Sequence, residues 1–439
     1  MGHSNYPSWG RYPRARQRQV AMVWRHQPLP LADGDVLLPR GAGRSYGDSC
    51  LNDGGVLIDA TGLDHFIRFD PEQGLLRCEA GVLLSDILQV IVPAGWFLPV
   101  TPGTRFVTLG GAIANDVHGK NHHRAGTFGC HVDRFELLRS DGRRIVCSAD
   151  ENADWYRATI GGLGLTGLIT WAEILLHPLM SPCIDQETLR YQGLDEFFEL
   201  SQASDQSHEY TVAWVDCLAS GAGLGRGLFM RGNVLKQPRA PYPKPQGHGL
   251  AVPFDPPLSL VNHWTLSAFN RLYYHRQRQP SSRATVHYEP FFYPLDSIGQ
   301  WNRIYGPKGF LQYQCVVPID DGREAIGEIL ERISRSGMGS FLAVLKLFGD
   351  RPSPGLLSFP REGVTLALDF PNQGQQTLQL LEQLDQVTRA AGGAVYPAKD
   401  ARMSPESFEA YFPNWRELER WRDPRLCSSF WRRVTGVAE

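Results

Sequence analysis

The stretch VTPGTRFVTLGGAIANDVHGKNHHRAGTFG, residues 100–129, decides how the rest of the chain is read. Glycines at 103, 110, 111, 119, 126 and 129 and a proline at 102 exclude a long helix. Among them lie Asn115, Asp116, His118, Lys120, His122 and His123, titratable and polar groups on a backbone made for turns. Amide N–H groups of glycine turns converge into nests that hold phosphate oxygens without needing lysine or arginine. The segment predicts a ligand cradle with chemistry beside it.

Two further glycine-rich segments flank it, PRGAGRSYGDS (39–49) and GGLGLTG (161–167). The second matches G-x-G-x-x-G, but it follows a helical pattern, NADWYRATI, and runs into a strand, LITWAEILL. A nicotinamide-binding βαβ unit needs the reverse context, so that reading is excluded. Around these segments, DVLLP, GGVLIDAT, IRFD, LLRCEAGV and RFELLRSDGRRIVCS read as strands, and LLSDILQVIVPAG as a helix. The first 180 residues are mixed α+β.

The character changes near residue 181. QETLRYQGLDEFFELSQASD is expected to be helical, followed by the strands EYTVAWVDC and GRGLFMRGN. Residues 236–257 are proline-dense and predict a long loop, either a linker or a lid. LSLVNHWTLSAFNRLYYHRQRQ reads as a helix. The strands FLQYQCVVP, SFLAVLKLFG and VTLALDFP alternate with the helices GREAIGEILERISRSG and GQQTLQLLEQLDQVTRAAGG.

The composition of the 439 residues is that of a soluble globular protein, 42% hydrophobic and 21% charged. A formal charge of -2 supplies no field for a polyanion, so nucleic acid is not an expected partner. The eight cysteines are scattered without a C-x-x-C pair, which argues against a zinc module or disulfide framework. No signal-peptide pattern or membrane span is evident, so a cytoplasmic protein is expected.

In order and spacing, PRGAGRSYGD, PGTRFVTLGGAIANDVHGKNHH and GGLGLTG resemble the FAD domain of vanillyl-alcohol-oxidase-like flavoproteins. More narrowly, with WNRIYGPKGFLQYQ, KLFG, LDFP and YPAKDAR, nearly the whole chain resembles the decaprenylphosphoryl-β-D-ribose 2′-oxidase family. The resemblance implies a two-subdomain PCMH-type FAD-binding domain formed by both chain ends, residues 1–180 and 395–439. A substrate domain, residues 181–394, with an antiparallel sheet flanked by helices, would be inserted between them. It implies FAD contacts at Pro39, Arg40, Gly41, Ala42, Gly43, Arg44, Ser45, Tyr46, Gly47, Asp48 and Ser49. Further contacts fall on Gly103, Thr108, Leu109, Gly110, Gly111, Asn115, Asp116, Val117, His118, Ile169 and Tyr396. Related sugar oxidases carry a flavin-linking histidine where this chain has Arg44, so the FAD is expected to be non-covalent.

The implied reaction is oxidation of a secondary hydroxyl of a glycosyl substrate, the 2′-OH of a polyprenyl-phosphoryl ribose, in making a cell-wall polysaccharide precursor. An NAD(P)H-dependent short-chain reductase would act on the keto product, completing an epimerisation. Oxidation of a free sugar, alditol or aldonolactone is the second reading, and a non-catalytic flavin-binding scaffold the third. Lys399 and His118 match the family's active-site lysine and histidine, and either is suited to take the hydroxyl proton. A metal is not expected at His118 and His122, because Gly119 disfavours the helix their spacing would need.

Gln312 and Gln314 alternate with Tyr313 and share one face of a strand; with Lys346 they are expected to line the sugar pocket. Trp214, Tyr293 and Phe348 are expected as its walls, with core packing the competing assignment, and Lys120 as the phosphate contact. Thr365 and Ala367 stand where the family often has asparagine and cysteine, an altered pocket floor. A lipid-linked substrate implies peripheral membrane contact, with the proline-rich loop as a gate; the tail carrying Trp415, Trp421 and Trp431 suits a bilayer interface or, more commonly, a docked surface helix.

Overall fold

The computed structural model describes residues 6–236, 249 and 251–436. It is α+β, with three principal sheets. Near the amino end, Arg18–Ala21, Leu37–Arg40 and Val56–Asp59 form a small parallel sheet with the last strand central. Phe66–Asp70, Leu75–Glu79, Leu168–Leu175, Val132–Leu138 and Arg144–Ser148 follow as a five-stranded antiparallel sheet. Its apolar face closes on the helix Leu84–Ile91, which buries Leu84, Ile87, Leu88 and Ile91.

The largest sheet has eight strands, all paired antiparallel. In spatial order they are Ser281–His287, Cys183–Tyr191, Gly227–Val234, Tyr210–Val215, Val344–Phe348, Gly363–Pro371, Phe310–Val317 and Ala394–Val395. The two-residue period divides this sheet into unlike faces. Leu311, Tyr313, Cys315, Leu345, Leu366 and Leu368 are buried with Ile326, Ile329 and Leu330 of the helix Ile319–Ser336 and Leu380, Leu381 and Leu384 of the helix Gln375–Ala390. Gln312, Gln314, Lys346, Thr365 and Ala367 project from the other face into a cavity.

The expected helix over 186–205 is corrected: Cys183–Tyr191 is a strand, and the helix spans only Leu194–Asp205. Its register explains why. Glu187 lies opposite both Arg231 and Arg283 and pairs with each, at 2.7 and 3.4 Å. Cross-strand partners distant in sequence overrode local helix propensity. The strands Arg18–Ala21 and Ser281–His287 were not anticipated. Most of the proline-rich segment lies outside the described residues, although Ala251 forms a bridge with Gly299.

The chain returns to its amino end after Ala394–Val395, a strand that straddles the expected 394/395 boundary. Leu37 and Leu426 form a parallel bridge. Arg433 donates to Asp48 (2.7 Å) and Asp400 (2.8 Å). Trp431 is fully buried and donates to Glu419 (2.6 Å), while Trp415 and Trp421 pack against the main core. Trp431 is therefore a core residue, and Trp415 and Trp421 are partly buried against that core, as the docked-helix alternative has it. No helix among the described residues is long and apolar enough to cross a membrane.

Candidate active site

One cavity of about 700 Å³ joins the glycine-rich turns to the polar face of the large sheet. Its amino-terminal wall begins where Leu37–Arg40 ends. Gly43 takes the left-handed φ of +63°. A Cβ on Gly41 would fall 2.1 Å from Thr108 Oγ1, so the 39–49 and 101–121 turns touch through that glycine. Thr108 in turn caps the short helix Leu109–Ala114, accepting from Gly111 N–H.

The amides of Gly41, Ala42, Gly43, Arg44 and Ser45 donate to no other described residue. Ser49 Oγ and Arg40 Nε, buried polar atoms of residues on the same wall, are also without partners, as is the acceptor Gln312 Oε1 on the large sheet. Buried polar groups are nearly always satisfied, so the wall is built for a ligand rich in acceptors. A dinucleotide with its pyrophosphate fits this donor set. Arg44 lies with its guanidinium 4.0 Å from the Trp9 ring centroid, an aromatic stack on the cavity wall.

His118 belongs to the second of these turns, in the chain that follows the helix Leu109–Ala114. Its Nδ1 is 3.0 Å from Lys346 Nζ, and its Nε2 is 2.9 Å from Gln314 Nε2. Lys346 also donates to the Gly119 carbonyl (2.8 Å), and Gln314 to Thr365 Oγ1 (3.3 Å). The two nitrogen–nitrogen contacts are satisfied together when Lys346 is a neutral amine accepting from Nδ1–H while Gln314 donates to Nε2. Protonating Lys346 would move the ring proton to Nε2 and turn the Gln314 amide oxygen toward it.

The electrostatics favour neutral groups. Burial, then the charge of Lys346, holds His118 well below the usual imidazole range. Burial, then the charges of Lys120 and Lys399, brings Lys346 down to about 7. Lys120, brought to about 7 by burial, donates to the Phe291 carbonyl and lies 4.6 Å from that ring's centroid. Lys399 Nζ lies 3.9 Å from the Tyr46 ring centroid and makes no hydrogen bond to another described residue. Burial lowers its pKa, Asp369 opposes that, and burial raises the Asp369 carboxyl in return. Asp369 accepts from Gln312 (2.6 Å).

The cavity brings together Pro39, Arg40, Gly41, Ala42, Gly43, Arg44, Ser45, Tyr46 and Ser49 with Gly103, Thr108, Gly110, Gly111, Asn115, Val117, His118, Ile169 and Tyr396. Lys120, Trp214, Gln312, Gln314, Lys346 and Lys399 share it. Six expected residues are not on its wall, each for a packing reason. Gly47 packs on the Asp400 carbonyl, Asp48 turns to Arg433, and Leu109 enters the core. Asp116 accepts from Gly129 N–H (2.8 Å) and Ser358 (2.6 Å), bracing the turn from behind. The Tyr293 hydroxyl bonds to Thr101 (2.7 Å). Phe348 backs the imidazoles, 4.8 Å from His118 and 4.3 Å from His122.

Asp369, Gln186, Tyr273 and Arg276 were missed by the sequence reading. The first pair alternates in phase with cavity-facing neighbours, a usable signal once the strands are known.

A family model described as an FAD binding domain matches residues 29–148. The chain is 38% identical over 405 residues to the decaprenylphosphoryl-β-D-ribose oxidase of Mycolicibacterium smegmatis, covering 89% of this chain and 87% of that one. An uncharacterized Streptomyces coelicolor protein is 32% identical over 361 residues, covering 78% of this chain and 96% of its own. The human Δ(24)-sterol reductase is 29% identical over only 112 residues, covering 22% of its length. The cofactor is FAD, in agreement with the donor-lined wall, and the protein is an FAD-dependent oxidase acting on a CH–OH group. With the likeness running the length of both chains, this protein belongs to the decaprenylphosphoryl-β-D-ribose oxidase family.

Proposed function

We propose that the protein oxidises the 2′-OH of a polyprenyl-phosphoryl ribose to the 2′-keto form, using non-covalently bound FAD. The name of the mycobacterial relative supports the substrate class. Arg44, which cannot form the histidyl flavin link, supports a dissociable cofactor. The observation that carries the reading is the meeting of an unsatisfied amide nest with Lys399, His118 and Lys346 in one cavity.

Bound FAD supplies the hydride acceptor, which leaves the chain to hold the sugar and take the hydroxyl proton. Both nitrogens of His118 are engaged by Lys346 and Gln314, so His118 is not the base; it holds those two side chains in place at the sugar subsite. The Lys399 amine, desolvated and without a hydrogen bond among the described residues, takes the proton, with Asp369 the carboxyl whose charge adjusts its basicity. Gln312 and Gln314 line the sugar subsite, and Lys120 meets the phosphate. In this reading residues 1–180 and 395–439 are the two-subdomain FAD part, and residues 181–394 the inserted substrate domain. The keto product passes to an NAD(P)H-dependent reductase, and the lipid-linked substrate is met at a membrane surface.

The test is anaerobic mixing of the purified protein with prenyl-phosphoryl sugars and with free sugars, alditols and aldonolactones, followed by flavin absorbance. Bleaching by the prenyl-phosphoryl ribose alone is expected. Bleaching by free sugars, or by nothing, overturns the reading. Denaturation should release all the FAD from the polypeptide.

A further inference from the structure

The helix His263–Arg276 turns three faces in three directions. Leu266, Asn270 and Tyr274, spaced by four, are buried, with Asn270 donating to Asp216 (2.9 Å). Tyr273 and Arg276 reach the cavity wall, with the guanidinium 4.0 Å from the Tyr273 ring centroid. Arg276 is both exposed and on that wall, so the cavity opens beside this helix. The remaining row, Trp264, Ala268 and Leu272, points to solvent. Trp264 is 82% exposed and Leu272 73%.

The chain entering the helix extends this surface, with Leu258 79% and Leu260 54% exposed. Ordinary surfaces scatter their exposed apolar residues singly; an indole and a leucine in one helix row, with two exposed leucines in the chain leading into it, mark a binding face. The charge carried by this stretch of chain is one-sided. Between Asp216 and Glu289 the sequence has a single carboxylate, Asp255, and that is paired with Arg11 (2.6 Å). Over the same span Arg271, Arg276, Arg278 and Arg283 follow or belong to the helix. Arg271 and Arg278 make no ion pair among the described residues.

Indole and leucine beside unpaired arginines suit one occupant in particular, a bilayer with anionic headgroups. The indole and leucines sink to the acyl boundary, and the guanidiniums stay among phosphates. Building on the lipid-linked substrate proposed above, we propose that Leu258, Leu260, Trp264 and Leu272, flanked by Arg271 and Arg278, dock the protein on an anionic lipid surface. The cavity mouth then opens at headgroup level, where a lipid-linked sugar can enter with its chain still in the membrane.

The experiment is co-sedimentation of the full-length holoprotein with phosphatidylcholine vesicles, with and without phosphatidylglycerol. Wild type should sediment with the anionic vesicles and be released by salt. The pair Trp264→Asp, Leu272→Asp should bind at least ~10-fold more weakly, with flavin absorbance and melting temperature unchanged. The pair Arg271→Glu, Arg278→Glu should lose only the part of binding that depends on phosphatidylglycerol. Wild type staying in the supernatant, or the Trp264–Leu272 pair sedimenting like wild type, overturns the proposal. So does light scattering that shows wild type to be a dimer which this pair dissociates. The substrate reading is tested apart, in detergent with a short-chain prenyl-phosphoryl ribose. If that substrate fails to reduce the flavin while the vesicle result holds, docking stands and the substrate assignment falls.

Discussion

Lys346 Nζ and His118 Nδ1 lie 3.0 Å apart, a side chain of the large sheet meeting one from the glycine-rich turns. The contact makes the ring's tautomer depend on the charge of the amine, and Lys346, brought to about 7, changes charge near neutrality.

Lys346→Met should therefore alter a pH profile as well as a rate. His118 is depressed first by burial and next by Lys346, so removing that charge lets its pKa rise part of the way back. Protonation then silences the ring at higher pH than in wild type. The acid limb of anaerobic flavin reduction should move upward, and the rate should fall by roughly 10- to 100-fold.

The same amine has a signature in stability. Its folded pKa of about 7 lies below its ordinary 10.5. Between those values the unfolded chain binds the extra proton, so stability rises with pH across that window. Below it both states are protonated and the slope vanishes. Thermal melts of the FAD-free protein should climb from neutral pH toward pH 10, and less steeply in Lys346→Met.

Lys399→Met should keep the flavin and its yellow colour while slowing its reduction by substrate at least ~100-fold. Full-rate bleaching in this variant would remove Lys399 from the chemistry.

Gly41→Ala and Gly103→Ala separate a packing glycine from one with room. The first places a methyl against Thr108, the second meets nothing within 4 Å. Melting of the FAD-free protein should show a loss of about 1–3 kcal/mol for Gly41→Ala and little for Gly103→Ala.

Arg433→Met should strand Asp48 and Asp400, both buried against it. Leaving buried carboxylates uncompensated costs about 3–5 kcal/mol. The deficit should shrink at low pH, where protonation relieves the stranded pair; denaturant melts at two pH values check this.

Much of this was legible in the sequence where period and spacing act locally. The alternation in FLQYQC placed Gln312 and Gln314 together, and the glycine spacing placed the turns. Gln186–Tyr191 misled because its residues tolerate a helix, and only pairing with Gly227–Val234 and Ser281–His287 makes it a strand. Tyr293 and Phe348 misled for another reason. Aromatic residues suit a pocket wall and a packed core equally well, and what decided was the Thr101 hydroxyl and the neighbouring imidazoles. Lys399 carried no local signal at all; family resemblance alone singled it out.

The clamp of Asp48 by Arg433, with the Leu37–Leu426 bridge beside it, bears on how the protein is made. The turn at 39–49 leaves the ribosome nearly four hundred residues before the guanidinium that fixes its far end. A nascent chain therefore carries this turn without its clasp throughout most of its synthesis. The far end of the turn is fixed only once residue 433 has been made and has folded back against Asp48.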